Sequence, residues 1–440
     1  MSMFKSSPKP PSSRVRSAKL AVFVLFAGGV IGATAAIAAS SRMASPESPV
    51  ASLVKLGIRF DGARSCNASA CHGGSEPGES PHGQNAYTLW SGKDPHRAAF
   101  DVLMNDQSKK IAAAAGIADA TTSSDCLSCH ATNAPENLQG KEFAIDEGNS
   151  CTTCHGPSDK YLAPHATKGW TEQQRKATGA PDPAYHAKLL AATGLYDTNP
   201  LVERADRCAS CHLAIDHKLV KAGHPVTVFE MDYFSNPNVY LDRHWPDGKE
   251  PFFNTHQWAA GQIVGVRDTF RQLASRASGG ADADAVKQAY EQAMSHLLAL
   301  KALTSAGGPG AGVVTAGEAV KLGDNAALAT AATATAAAAE AAYPAFNTFK
   351  GTKELTLKTL ANLTENPALT ALGIHGVEQQ AYGIFALYNA FALTEKAPEA
   401  DVNSANDSIG KLFGPLDKAA YGNMDGYAEA LKEFAGKLPK

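Results

Sequence analysis

All eight cysteines of this 440-residue chain fall in four short motifs, and each motif ends in a histidine. They are Cys66-Asn67-Ala68-Ser69-Ala70-Cys71-His72, Cys126-Leu127-Ser128-Cys129-His130, Cys151-Thr152-Thr153-Cys154-His155 and Cys208-Ala209-Ser210-Cys211-His212. In C-x-x-C-H the two thiols can each add to a vinyl group of haem, and the adjoining histidine then lies close enough to bind the iron. Zinc ribbons and thioredoxin-like turns also use C-x-x-C, but neither needs a histidine after every second cysteine. The pattern therefore points to four covalently attached haems c, with His72, His130, His155 and His212 as proximal ligands. Zinc or disulfides are the alternative reading. The first motif is the unusual one, since four residues rather than two separate Cys66 from Cys71 and its loop must bulge to present both thiols to one haem.

This cofactor load constrains the fold more than any other feature. The flat faces of four haems can replace much of an apolar core, so short helices and loops suffice to wrap them, and covalent attachment adds constraint as disulfides do in small domains. The expected fold is mainly α: a haem-packed domain of short helices and loops, followed by an alanine-rich helical bundle.

The second part is read from periodicity. Val286, Tyr290, Ala293, Leu297 and Leu300 recur at steps of four and three, which places an apolar stripe on one helical face. Ile384, Tyr388 and Phe391 repeat the pattern further on, and Ala326 to Ala342 is almost entirely small residues with high helix propensity. Gly307-Gly308-Pro309-Gly310 breaks the chain between helices. About four helices are expected over 281–440. With no cysteine and only His296 and His375, this part is expected to hold no haem and to serve packing, subunit contact or partner docking.

At the N-terminus, Lys5, Lys9, Arg14, Arg16 and Lys19 precede an uncharged apolar run from Leu20 to Ala39, the pattern of a secretory signal. Ala36-Ile37-Ala38 offers a small-residue cleavage site, while the length of the run would also suit a membrane anchor. Either way the chain is expected outside the cytoplasm, in the periplasm, and if uncleaved held at the inner membrane. The expected organisation is 1–39, signal peptide or anchor; 40–57, a Ser- and Pro-rich tether; 58–271, the tetrahaem domain; 281–440, the alanine-rich helices. A formal net charge of −3 without a long basic block beyond the export segment excludes a nucleic-acid binder. No Ser/His/Asp nucleophile pattern, phosphate-cradling glycine loop or H-E-x-x-H site competes.

The second axial position of each iron decides between electron transfer and chemistry, because a distal histidine fills the iron. The haem region offers His82, His96, His165, His186, His217, His224, His244 and His256 for that place. Met104 and Met231 are the other candidates, and with so many histidines at hand they are read as packing residues.

At this level the chain resembles the cytochrome c-554 type of multihaem cytochromes over roughly residues 64 to 246. The resemblance rests on the haem motifs together with Trp90-Ser91-Gly92-Lys93-Asp94-Pro95-His96-Arg97-Ala98-Ala99-Phe100, the run Cys151 to Pro157 followed by Tyr161 and His165, and Ala222-Gly223-His224-Pro225 with Phe229-Glu230-Met231-Asp232 and His244-Trp245. It implies that His96 caps the third haem, His165 the first and His244 the fourth. The second haem is the one whose distal side is open in the tetrahaem member, and here His217 or His224 could close it. A periplasmic carrier moving electrons between respiratory redox proteins is the resulting expectation. The alternative is a haem enzyme acting on a small nitrogen or oxygen compound at an open second haem. A subunit interface, if there is one, is expected on the C-terminal helices.

Overall fold

The structure is a computed structural model and describes residues 49–75, 85–180, 184–235, 248, 250–417 and 420–438. The expected signal or anchor over 1–39 lies outside these residues. The fold is mainly α, and among the described residues the only β pairing is an isolated bridge between Phe60 and Gln139. None of their helices is long and apolar enough to cross a membrane.

The largest core belongs to the C-terminal part. The helix Ala283–Ser305 begins at Asp282, whose side chain accepts the N–H of Ala285, and stops before Gly307, where the backbone turns to φ +102°. Val286, Ala293, Leu297 and Leu300 are buried along it, with Tyr290 half-buried at the edge of the stripe. Asn325–Thr348 is the alanine-rich helix, capped by Asp324 on Ala327. Ile374–Glu395 buries Ile384 and Tyr388, and Lys353–Thr364 packs against it and against Ala283–Ser305. Each large apolar side chain so enclosed contributes about 1.5–3 kcal/mol.

At the centre runs a helix that the periodicity did not reveal, Phe253–Ser278, packed against Ala283–Ser305, Asn325–Thr348 and Ile374–Glu395. It begins inside the segment expected to hold haems and lies in the helical core instead. Most of its polar positions are as enclosed as its apolar ones, and several are satisfied by neighbours. Gln262 donates to Gln379 Oε1 at 2.9 Å, Thr255 and Thr356 share a 2.8 Å hydroxyl contact, and His256 uses both ring nitrogens, on Glu250 and on the Phe346 carbonyl. Gly265 lets the next helix approach, since a Cβ there would stand 2.4 Å from His296 Nδ1.

The cysteine-bearing part consists of short α and 3₁₀ turns, and its tertiary ties run mostly through polar groups. Trp90 Nε1 donates to the Asn149 carbonyl, Asn149 Nδ2 to the Cys129 carbonyl, and the Ala63 N–H to Glu147. The stretch 147–153 thereby links the first, second and third motifs. Part of the expected tether is structured: Pro49–Val54 is a helix whose Val50 and Leu53 pack with Phe60 and Ala134. The last motif is different, because the helix Leu201–His212 shares the large core through Leu201, Val202, Ala205 and Ala209. Asp206 on that helix is ion-paired with Arg267 at the centre of the bundle.

Candidate haem-binding site

The second and third motifs each form one short helix, Ser124–His130 and Cys151–His155, and the fourth closes the longer Leu201–His212. A helical C-x-x-C puts two thiols about one turn apart on the same side, and the next residue projects beside them. The third helix ends abruptly because Gly156 takes φ +81°, where an added Cβ would lie 2.2 Å from the Gly194 carbonyl oxygen. The first motif leaves a 3₁₀ turn, Ala63–Cys66, for an irregular loop.

These elements surround one cavity of about 1210 Å³, lined by seven of the eight cysteines and by His72, His96, His130, His155, His165, His212 and His224. That exceeds the roughly 300–1,000 Å³ typical of a single small-molecule pocket. Cys71 is exposed and stands apart from the lining, the structural outcome of the widened first loop. Apolar and aromatic groups such as Trp90, Leu103, Ile111, Tyr161, Leu219 and Phe229 complete the walls.

Within the cavity the histidines meet in pairs. His72 and His165 have ring centres 6.2 Å apart and planes 7° from parallel. His96 and His212 stand at 6.1 Å and 80°, His130 and His224 at 6.2 Å and 73°. Two imidazoles bound to one metal at about 2 Å each, with about 1 Å from nitrogen to ring centre, stand roughly 6 Å apart. The gap in every pair is therefore the width of one iron with its two bonds. In four of the six rings the opposite nitrogen is engaged in a way that favours this. His130 Nδ1–H donates to the Ala99 carbonyl at 2.8 Å, His224 to that of Pro225 at 2.8 Å, and His165 to those of Tyr161 and Leu162. A carbonyl can only accept, so Nδ1 carries the proton and Nε2 keeps its lone pair for a metal. His96 Nδ1 is held by the Asp94 carboxylate at 2.8 Å, which outweighs burial and raises its basicity. Burial, with His96 nearby, draws His212 down to about 4, so it is neutral at pH 7 as a ligand must be. The donor set, the spacing and the enclosed apolar walls fit haem c.

Some sequence expectations are re-sorted. His96 faces His212 of the fourth motif rather than the third. Of the two unassigned residues, His224 stands opposite His130, while His217 lines a separate cavity of about 550 Å³ beside Asp216. His244 and His82 lie outside the described residues. His186 contacts Glu203 and His256 is committed within the bundle. Met231 is buried against the core and Met104 is exposed.

The cysteines also define neighbours. Cys66 meets Cys151, and Cys129 meets Cys211, each pair within thiol hydrogen-bonding reach. Cys154 lies close enough to Cys208 for their charges to interact, and burial pushes these two thiols up to about 12 and about 11.

Residues 65–156, which include the first three motifs, match the family described as cytochrome c554 and c-prime. No curated protein and no solved structure matches the chain. The fourth motif and the helical bundle lie beyond the matched segment. The match over residues 65–156 thus supports a c-type cytochrome of the c554 type, a kind of protein that holds haem c covalently and carries electrons.

Proposed function

We propose that the chain is a tetrahaem electron carrier working outside the cytoplasm between redox partner proteins. The observation that carries this reading is the single cavity in which seven motif cysteines and three iron-width histidine pairs converge. When bound, haem c supplies a one-electron ferric–ferrous couple at each iron. The chain's own residues supply order and access. Cys66 beside Cys151 makes the first and third sites neighbours, Cys154 beside Cys208 the third and fourth, and Cys211 beside Cys129 the fourth and second. Electrons would enter at the first or second site and cross the molecule in the order first, third, fourth, second.

His224 opposite His130 supports a carrier over an enzyme, because it occupies the distal place that a substrate on the second haem would need. The export pattern of residues 5–39 supports a periplasmic location, where apo-cysteines meet haem after secretion. Haem quantification as the pyridine haemochrome, on protein made with a maturation system, tests the proposal. Four haems per chain are expected, and fewer than three would sink it.

A further inference from the structure

Arg207 lies between Cys154 of the third motif and Cys208 and Cys211 of the fourth, where it acts electrostatically on all three, and it lines the cavity. It is only 9 % exposed, and its Nε is enclosed with no hydrogen-bond partner among the described residues. One face of its guanidinium rests on Tyr196, with Cζ 3.8 Å from the ring centre. Tyr196 is itself fixed, its hydroxyl donating to Asp206 and to the Glu203 carbonyl.

The carboxylates nearby are engaged elsewhere. Asp206 pairs with Arg267, and Asp197 is gripped by Arg175 Nε and Nη2. Glu203 accepts from Asn347 and faces His186 through Oε1, its enclosed Oε2 making no hydrogen bond and no ion pair with Arg207 among the described residues. Arg204, one turn earlier, shows the contrast, because its guanidinium is met by the Thr198 and Asn199 carbonyls and by Gln257. A permanently charged group buried with an orphaned donor costs several kcal/mol unless an anion answers it. Each haem brings two carboxylates into the cavity, and the planar guanidinium fork suits a carboxylate better than any other partner.

We propose that Arg207 is the counter-cation of a haem carboxylate at the junction of the third and fourth sites and that it sets the reduction potential there. This rests on haem occupying both sites. A positive charge beside a haem disfavours its oxidised form, so Arg207 raises the potential at the middle of the route.

The test is spectroelectrochemical titration of the haem-loaded protein and its R207Q, R207M and R207K variants, with haem counted in each. R207Q and R207M should keep the parent's haem content while one or two components of the titration move to lower potential and the others stay. R207K, which keeps the charge without the fork, should fall between. R207M preserves the stem over Tyr196, so it separates charge from stacking if R207Q matures poorly, and haem lost in both neutral variants but kept in R207K also supports the assignment. Unchanged potentials in a loaded neutral variant would overturn it, as would haem loss equally complete in all three. A parent with fewer than three haems would instead overturn the tetrahaem reading.

Discussion

His130 and His224 face each other across the cavity with ring centres 6.2 Å apart and planes at 73°, each ring oriented by a carbonyl on its outer nitrogen. On the tetrahaem reading that relation would make the second iron a saturated, low-spin centre. His224→Ala should open it: the ferric variant should show a high-spin electron paramagnetic resonance signal that responds to cyanide, absent from the parent. A parent that already binds cyanide would return the second haem to the enzyme reading.

The pairs differ in ring angle, and the angle is spectroscopically visible. Parallel imidazole planes split the iron d orbitals more than crossed planes, so the His72–His165 pair at 7° should give a rhombic low-spin signal. The pairs at 80° and 73° should give strongly anisotropic ones. His165→Ala should remove the rhombic signal alone, and His96→Ala one of the anisotropic signals. Loss of the rhombic signal in His96→Ala would show that the facing rings do not share an iron.

Glu230 lies in the cavity wall, and burial raises it to about 7 against the opposing N–H groups of Tyr233 and Asp232. Between about 4.5 and about 7 the folded protein therefore holds a proton that the unfolded chain has released. Stability from this group falls as pH rises through that window, and the penalty is complete above it. Urea unfolding at pH 5 and pH 8 should show a smaller loss at high pH in Glu230→Gln than in the parent. Equal losses would remove Glu230 as the source.

Asp197 runs the other way. Although burial opposes its charge, Arg175 holds it down to about 2 through contacts of 2.7 and 2.8 Å, and Tyr185 and Asn199 add hydrogen bonds. Its contribution is present above its ordinary value near 3.8 and is lost as pH falls through about 2. Asp197→Asn should cost about 3 kcal/mol in urea unfolding near pH 7 by removing the charge that Arg175 grips, leaving it only the longer contact to Glu172. The gap to the parent should narrow in acid.

The c-type character of residues 65–156 could be read from the chain because thioether chemistry asks for two cysteines and a histidine at short local spacing. The C-terminal helices were legible where an apolar stripe or an alanine run meets a glycine-proline break, as from Val286 to Gly310. Phe253–Ser278 was not, because Gln262, Thr255 and Thr269 are enclosed beside Trp258 and Phe270, and a helix buried on all sides loses the contrast that periodicity detects. Val50 and Leu53 were hidden by the serines and prolines around them. The partner of His96 was beyond the sequence for a different reason: which motif histidine a distant histidine faces is set by how the 94–99 turn sits between motifs. That turn places the His96 ring against His212 and the Ala99 carbonyl on His130.

The Leu201–His212 helix takes its apolar partners from residues that follow it in the chain, including Trp258 and Ile263, and its Asp206 from Arg267. If the chain is exported as proposed, the first three motifs would emerge with most of their own scaffold, whereas the fourth would lack its main apolar support until the downstream half arrives. On the tetrahaem reading, haem delivery to Cys208 and Cys211 would thereby be coupled to completion of the polypeptide, and a chain cut short before residue 253 would lose the link that joins the third site to the second.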